Sequence, residues 1–215
     1  MNLLNSFKNG IFASKTDLEN LLSANTASIL IISDTHGDIS AVEKVLYTHG
    51  EEKDVLMFAG DGIEDFLQFI ILAKSDTDLK KFIPPVFCLV KGNSDLSNKY
   101  DINVLEDNGT YKQERFKFPD YISLSVCKRQ IILTHGDHFD VDLSLISFMN
   151  FVKQNNAKIG IYGHSHFPEI HELNDVFLIN PGSLSKPRRN SQKSCAVLTI
   201  TQNEKPAVKF LNCEF

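Results

Sequence analysis

The chain contains no apolar run approaching the roughly 18 residues that a membrane-spanning helix requires. It has no basic excess either: 22 Lys and Arg against 27 Asp and Glu give a net charge of −5. That balance argues against a protein that grips a nucleic-acid polymer by its backbone. Cysteine is sparse, and Cys88, Cys127, Cys195 and Cys213 form no C-x-x-C pair. Three of them lie in or beside apolar runs, where a thiol behaves as a small hydrophobe, so they read as reduced and structural, as suits a cytoplasmic protein. The N-terminus shows no charged segment leading into a long apolar stretch, so no secretory signal is expected. Internal repeats, low-complexity tracts and a second-domain linker are also lacking. A chain of 215 residues, 42% hydrophobic and 23% charged, is expected to fold as one soluble domain.

What the sequence does contain is a series of short apolar runs, each followed by a residue able to bind a metal. The runs are Ala27–Ser33, Asp54–Ala59, Pro85–Val90, Arg129–Thr134 and Lys158–Tyr162. They are short, rich in β-branched and aromatic residues and bounded by Gly, Asp or Asn, which predicts buried strands. Behind them come Asp34 and His36, then Asp61, Asn93, His135, and finally His164 and His166. In an open α/β sheet, ligands gather at the carboxyl ends of the strands, so these side chains are expected to converge. Asp34/His36 and His164/His166 are i, i+2 pairs, which extended backbone would point to one side. Carboxylate, amide oxygen and imidazole together suit divalent Mn, Zn, Fe, Co or Ni. Seven ligands exceed the needs of one ion and suit two that share a carboxylate.

In order, these motifs are Asp34-Thr35-His36, Gly60-Asp61, Gly92-Asn93, His135 and Gly163-His164-Ser165-His166. The chain resembles the calcineurin-like binuclear metallophosphoesterases, whose pattern is D-x-H, G-D, G-N, H and G-H-x-H. Its short length and the tail Asn180-Pro181-Gly182-Ser183 resemble the compact bacterial and archaeal phosphodiesterase branch. The resemblance implies two facing mixed β-sheets flanked by helices, a four-layer α/β/β/α sandwich. It also implies that Asp34, His36 and His166 hold one ion, Asn93, His135 and His164 the other, and that Asp61 bridges them. Asn93, Asp61 and His135 are thereby implicated in catalysis. The expected function is a metal-dependent phosphoesterase, foremost a phosphodiesterase, in which a metal-bridging hydroxide attacks a small phosphate ester. The competing readings are a non-catalytic scaffold of the same fold, as in a retromer subunit, and a nuclease. A small ester is the expected partner, with no membrane and no nucleic-acid polymer, and homo-oligomerisation is left open.

Two positions depart from the family pattern. Ser94 stands where many members have His and the compact branch often has Cys, and a serine hydroxyl is a weak acid for a leaving group. His135-Gly136-Asp137 replaces a frequent His-Gly-His, with His138 one place later. Asp137 or His138 is the alternative acid. Lys186, Arg188 and Arg189 could meet phosphate, but such a run is more often a solvated loop. His49 and His171 fit no motif and are expected at the surface.

Along the chain, residues 1–26 form an extension with a short helix over Asp17–Ser23, started by a capping box at Thr16–Glu19, and residues 27–215 form the domain. A second capping box at Ser40–Glu43 starts a helix that Gly50 would end in a left-handed conformation. Ile63, Phe66, Leu67, Ile70 and Ile71 mark the buried face of another helix. Lys112–Phe118, Tyr121–Cys127 and Arg129–Thr134 read as antiparallel hairpins, and a helix over Val141–Val152 follows. Val176–Asn180, Ala196–Thr201 and Ala207–Leu211 read as antiparallel strands.

Overall fold

The computed structural model describes residues 7–75, 78–105 and 109–214; the first six residues of the expected extension lie outside them. Two sheets face each other. The larger has seven strands in the order β1 (Phe7–Lys8), β2 (Ile11–Phe12), β5 (Val86–Leu89), β4 (Val55–Phe58), β3 (Thr26–Ile32), β13 (Ser194–Thr201), β14 (Ala207–Asn212). The smaller runs β11 (Pro168–Leu173), β12 (Val176–Pro181), β10 (Ile159–Ile161), β9 (Arg129–Thr134), β8 (Tyr121–Val126). Strands β3, β4 and β5 are parallel, as are β9, β10 and β12. Antiparallel strands close both edges of each sheet.

The layers follow from period-two alternation within strands buried on both faces. Ile29 and Ile31 of β3, Val55 and Met57 of β4 and Ile131 and Leu133 of β9 fill the space between the sheets. Leu30, Ile32, Leu56 and Phe58 point the other way, onto α2 (Ile39–His49) and α3 (Ile63–Ser75). Ile132 points onto α4 (Ile146–Gln154), which covers the smaller sheet through Phe148, Met149 and Val152. This is the expected four-layer sandwich. Each fully buried Ile or Leu contributes about 1.5–3 kcal/mol, and Ile29 through Ile32 are all fully buried.

Several local expectations are corrected. The box that starts α1 (Lys15–Ser23) is built by Ser14 and Asp17 rather than Thr16 and Glu19, because Ser14 Oγ accepts the Asp17 N–H at 3.0 Å. Asp38 caps α2, accepting from the Ala41 N–H at 3.0 Å, so Ser40 lies inside the helix. Gly50 is right-handed, with φ −78°. It is needed there for space, since a Cβ would lie 2.0 Å from the Phe82 carbonyl oxygen. On α3, Ile71 is exposed and Phe69 takes the buried place. Strand β7 (Tyr111–Lys117) pairs with β6 (Lys99–Leu105) in a separate ribbon, a partner the sequence reading missed, and not with β8. Strand β12 is antiparallel only to the unforeseen β11 and parallel to β10. Helix α4 starts five residues later than expected, because Val141 and its neighbours form a turn.

Ahead of β3, β2 adds to the edge of the larger sheet and α1 packs Leu18 and Leu21 into the inter-sheet core. The Cys127 and Lys128 N–H groups donate to the Leu21 and Leu22 carbonyls. The four cysteines are free and buried, with Cys195 and Cys213 sulfurs 3.4 Å apart. Among the described residues no helix is long and apolar enough to cross a membrane.

Candidate metal centre

Five of the six parallel strands, β3, β4, β5, β9 and β10, lead into loops at one end of the sandwich, and all seven candidate ligands come together there. They form two groups. In the first, ligand atoms of Asp34, His36, Asp61 and His166 all lie within 4.8 Å of one another. His36 Nε2 is 3.2 Å from His166 Nε2 and 3.7 Å from Asp61 Oδ2. In the second, His135 Nε2 is 3.0 Å from Asn93 Oδ1, 3.3 Å from His164 Nδ1 and 3.5 Å from Asp61 Oδ1. Asp61 therefore stands between the groups, presenting one carboxylate oxygen to each.

The backbone that achieves this is not the extended one expected from the i, i+2 spacing. Asp34, His36, Asp61, His164 and His166 have φ of 55°, 43°, 60°, 66° and 55°. Left-handed backbone costs a non-glycine residue about 1–2 kcal/mol. The two D-x-H and H-x-H segments are thus tight left-handed turns, and hydrogen bonds hold them. The Asp34 N–H donates to the Gly60 carbonyl at 3.0 Å and the His36 N–H to the Asp61 carbonyl at 3.1 Å. Ser183 Oγ and Ser185 Oγ both donate to the Asp34 carbonyl, at 2.8 and 3.0 Å. Asn180 Nδ2 donates to the Gly163 carbonyl at 2.7 Å and to Ser165 Oγ at 3.0 Å. The tail motif thereby buttresses the ligand loops from behind.

Other supports went unseen in the sequence. Asp95 accepts from the N–H groups of Asp61, Gly62, Ile63 and Gly92, tying two ligand loops and the start of α3 together. Asp65 accepts from Thr35 Oγ1 at 2.5 Å and the Gly37 N–H at 2.9 Å. Both are carboxylates next to Gly-rich turns, which is the only local hint they give.

The donor set fits a cation. His135 Nδ1 donates to the Ala59 carbonyl at 2.7 Å and His166 Nδ1 to the Lys186 carbonyl at 2.6 Å. With the proton placed there, each Nε2 turns its lone pair into the centre, the arrangement of a metal-binding imidazole. Those lone pairs face other acceptors. Asp34 is fully buried, and although His166 Nε2 approaches Oδ1 at 3.1 Å, neither carboxylate oxygen has a hydrogen-bond partner. Buried acceptors without donors are costly, and a cation at their focus removes that cost. The two imidazoles of this group titrate in opposite senses. Burial opposes charge on His166, yet Asp34 and the Lys186 carbonyl outweigh it and raise its pKa. Burial lowers that of His36, with Asp61 and Asp34 pulling the other way.

Beside the first group opens a cleft of about 290 Å³, bordered by His36, Asp61, Ser94, Leu96, Tyr100 and Lys186. Of the basic run, Lys186 reaches this cleft, Arg188 pairs with Asp142 at 3.7 Å and Arg189 stacks over Phe167. His138 is exposed and contacts Asp137 at 3.3 Å. His171 pairs with Glu169 at 2.9 Å, and His49 is partly buried at the end of α2.

Residues 28–203 match the calcineurin-like phosphoesterase superfamily domain, and the chain belongs to that family. It is similar to "Probable metallophosphoesterase YsnB" of Bacillus subtilis, 26% identical over 183 residues, covering 85% of this chain and 89% of the relative. A solved structure of a predicted phosphoesterase from Streptococcus pneumoniae is similar with TM-score 0.64 and 24% identity, covering 89% of this chain and 92% of the other. Vacuolar Protein Sorting 29 from Cryptosporidium parvum shares the fold with TM-score 0.54 and 17% identity, covering 87% and 98%.

Proposed function

We propose that this protein is a binuclear metal-dependent phosphodiesterase that hydrolyses a small phosphate ester in the cytoplasm. The observation that carries the reading is the buried Asp34 carboxylate, unpartnered and ringed by inward-facing imidazole nitrogens. Asp34, His36 and His166 would hold one ion and Asn93, His135 and His164 the other, with Asp61 shared. Bound there, divalent ions supply Lewis acidity, neutralising phosphoryl charge and acidifying a water. Manganese is the expected ion, because an imidazole-rich set disfavours magnesium.

The chain's own groups do the positioning. Ser94 aims Asp61 with two hydrogen bonds. Asn93 is exposed, and with Oδ1 turned to His135 its NH2 is placed to donate to a phosphoryl oxygen. Lys186 adds positive charge at the cleft, and Leu96 and Tyr100 give one ester arm an apolar wall. The cleft is at the small end for ligand sites, which favours a small ester over a polymer. The complete ligand set supports an enzyme over a scaffold.

Chelation should abolish turnover of an aryl phosphodiester, and manganese should restore it better than magnesium. Full turnover in excess chelator would overturn the reading.

A further inference from the structure

The sequence motifs pass over Asp142, yet its carboxylate lies between the candidate ligand His164 and Arg188 of the basic run. Oδ2 is 3.6 Å from His164 Nε2 and 3.7 Å from Arg188 Nη1. The other nitrogen of that ring, His164 Nδ1, is 3.3 Å from His135 Nε2. Nδ1 thus faces the candidate ligands and Nε2 faces away. A metal-binding imidazole keeps its proton on the outer nitrogen, and an acceptor there fixes both tautomer and ring angle. For His135 and His166 that acceptor is a backbone carbonyl. For His164 the group in the corresponding place is Asp142.

Both partners are held where the carboxylate can use them. Val141 is buried beneath Gly136, where an added Cβ would come within 2.9 Å of the valine side chain. The Leu143 and Ser144 N–H groups donate to the Asp140 carbonyl, closing the turn that carries Asp142. Opposite, the Arg188 N–H donates to the His166 carbonyl at 3.1 Å, and the Lys186 carbonyl accepts from His166 Nδ1. The segment bearing Arg188 is therefore clipped to the loop bearing His164. The two separations are long for hydrogen bonds. The Asp142 side chain, 38% exposed, has room to close them by rotation.

Resting on the phosphoesterase reading, we propose that Asp142 is a positioning residue with two tasks. It holds His164 with Nδ1 turned inward, and it holds the Arg188 guanidinium at the rim, where its fork geometry suits a phosphoryl oxygen pair of the substrate. One carboxylate thereby links metal retention to substrate anion binding.

The two tasks separate by substitution, with Mn affinity of the metal-stripped protein read by calorimetry and KM and kcat read on an aryl phosphodiester. Asp142→Ala should lower Mn affinity at one site roughly 10–100-fold and raise KM. Asp142→Asn keeps an oxygen to accept from Nε2 but loses the charge that holds Arg188, so Mn affinity should stay near wild type while KM rises. Arg188→Ala should raise KM at unchanged Mn affinity. Melting of the metal-free variants controls for folding, and if Asp142→Ala fails to fold, the Asp142→Asn and Arg188→Ala pair decides. Wild-type Mn affinity in Asp142→Ala, a loss of affinity in Arg188→Ala, or an unchanged KM in Asp142→Asn would overturn the proposal. A wild-type protein that neither binds Mn nor cleaves the diester would instead sink the underlying reading, and this proposal with it.

Discussion

Ser94 gives both of its hydrogen bonds to Asp61: the backbone N–H donates to Oδ1 at 2.7 Å and the hydroxyl to Oδ2 at 2.7 Å. Burial works to raise the pKa of Asp61, but the neighbouring His135 imidazole and these two bonds outweigh it, so the carboxyl is held below its ordinary value. The serine that replaces the family's acid is thus engaged in aiming the shared carboxylate. Its proton is committed, and it is poorly placed to serve a leaving group.

Removing that hydroxyl should therefore act through Asp61. A hydrogen bond to a charged group is worth about 1.5–3 kcal/mol, so Ser94→Ala should lower Mn affinity by about tenfold or more, with a parallel fall in kcat. Ser94→His should not rescue poor leaving groups, because it strips the same bond. In the parent, rates on diesters differing only in leaving-group pKa should fall steeply as that pKa rises. A flat series that steepens in His138→Ala would show that His138 serves as the acid.

Gly92 is a place where space decides. A Cβ there would lie 2.1 Å from Asp61 Oδ1 and 2.6 Å from the Asp61 nitrogen. Gly92→Ala should push the carboxylate off the centre, costing about 1–3 kcal/mol of stability and most of the activity. Isothermal titration with Mn and a melting curve check both, and near-normal metal binding would contradict the packing argument.

Asp38, two residues after His36, offers a pH test that is read on stability alone. Burial is the largest single effect and opposes its charge, but Ser40, the Ala41 N–H and Lys193 together outweigh it and lower its pKa from 3.8. A depressed carboxyl pKa contributes stability that is full above 3.8 and lost as pH falls through the folded value. As an N-cap it is worth about 0.5–2 kcal/mol. The melting-temperature gap between wild type and Asp38→Ala should be a few degrees near neutrality and should shrink below about pH 4. A gap that widens in acid would reverse the sign.

The strands and the order of ligand loops were legible because short apolar runs bounded by Gly, Asp or Asn are local signals. Ile29 to Ile32 announce a strand buried on both faces with no knowledge of their neighbours. What was not legible depends on partners distant in the chain. Asp95 reaches back 34 residues to Asp61, and Asp65 reaches back 30 to Thr35. The left-handed turns at Asp34 and His164 are held by such bonds, on residue types that enter that region more readily than most. Gly50 was misread for the same reason: its small size serves Phe82, which no local pattern reveals. Asp142 carries no motif, and only the tertiary approach of His164 and Arg188 gives it meaning.

The central claim is that the two groups of ligands joined by Asp61 hold two ions. The most direct test is the metal-to-protein ratio of the Mn-reconstituted protein, by elemental analysis after removal of excess ion, together with anomalous scattering from its crystals. The account predicts two ions per chain, one between Asp34, His36 and His166 and one between Asn93, His135 and His164, with Asp61→Asn losing at least one. A saturated protein that holds a single ion, or none, or keeps two with Asp61 turned away from both, would contradict it.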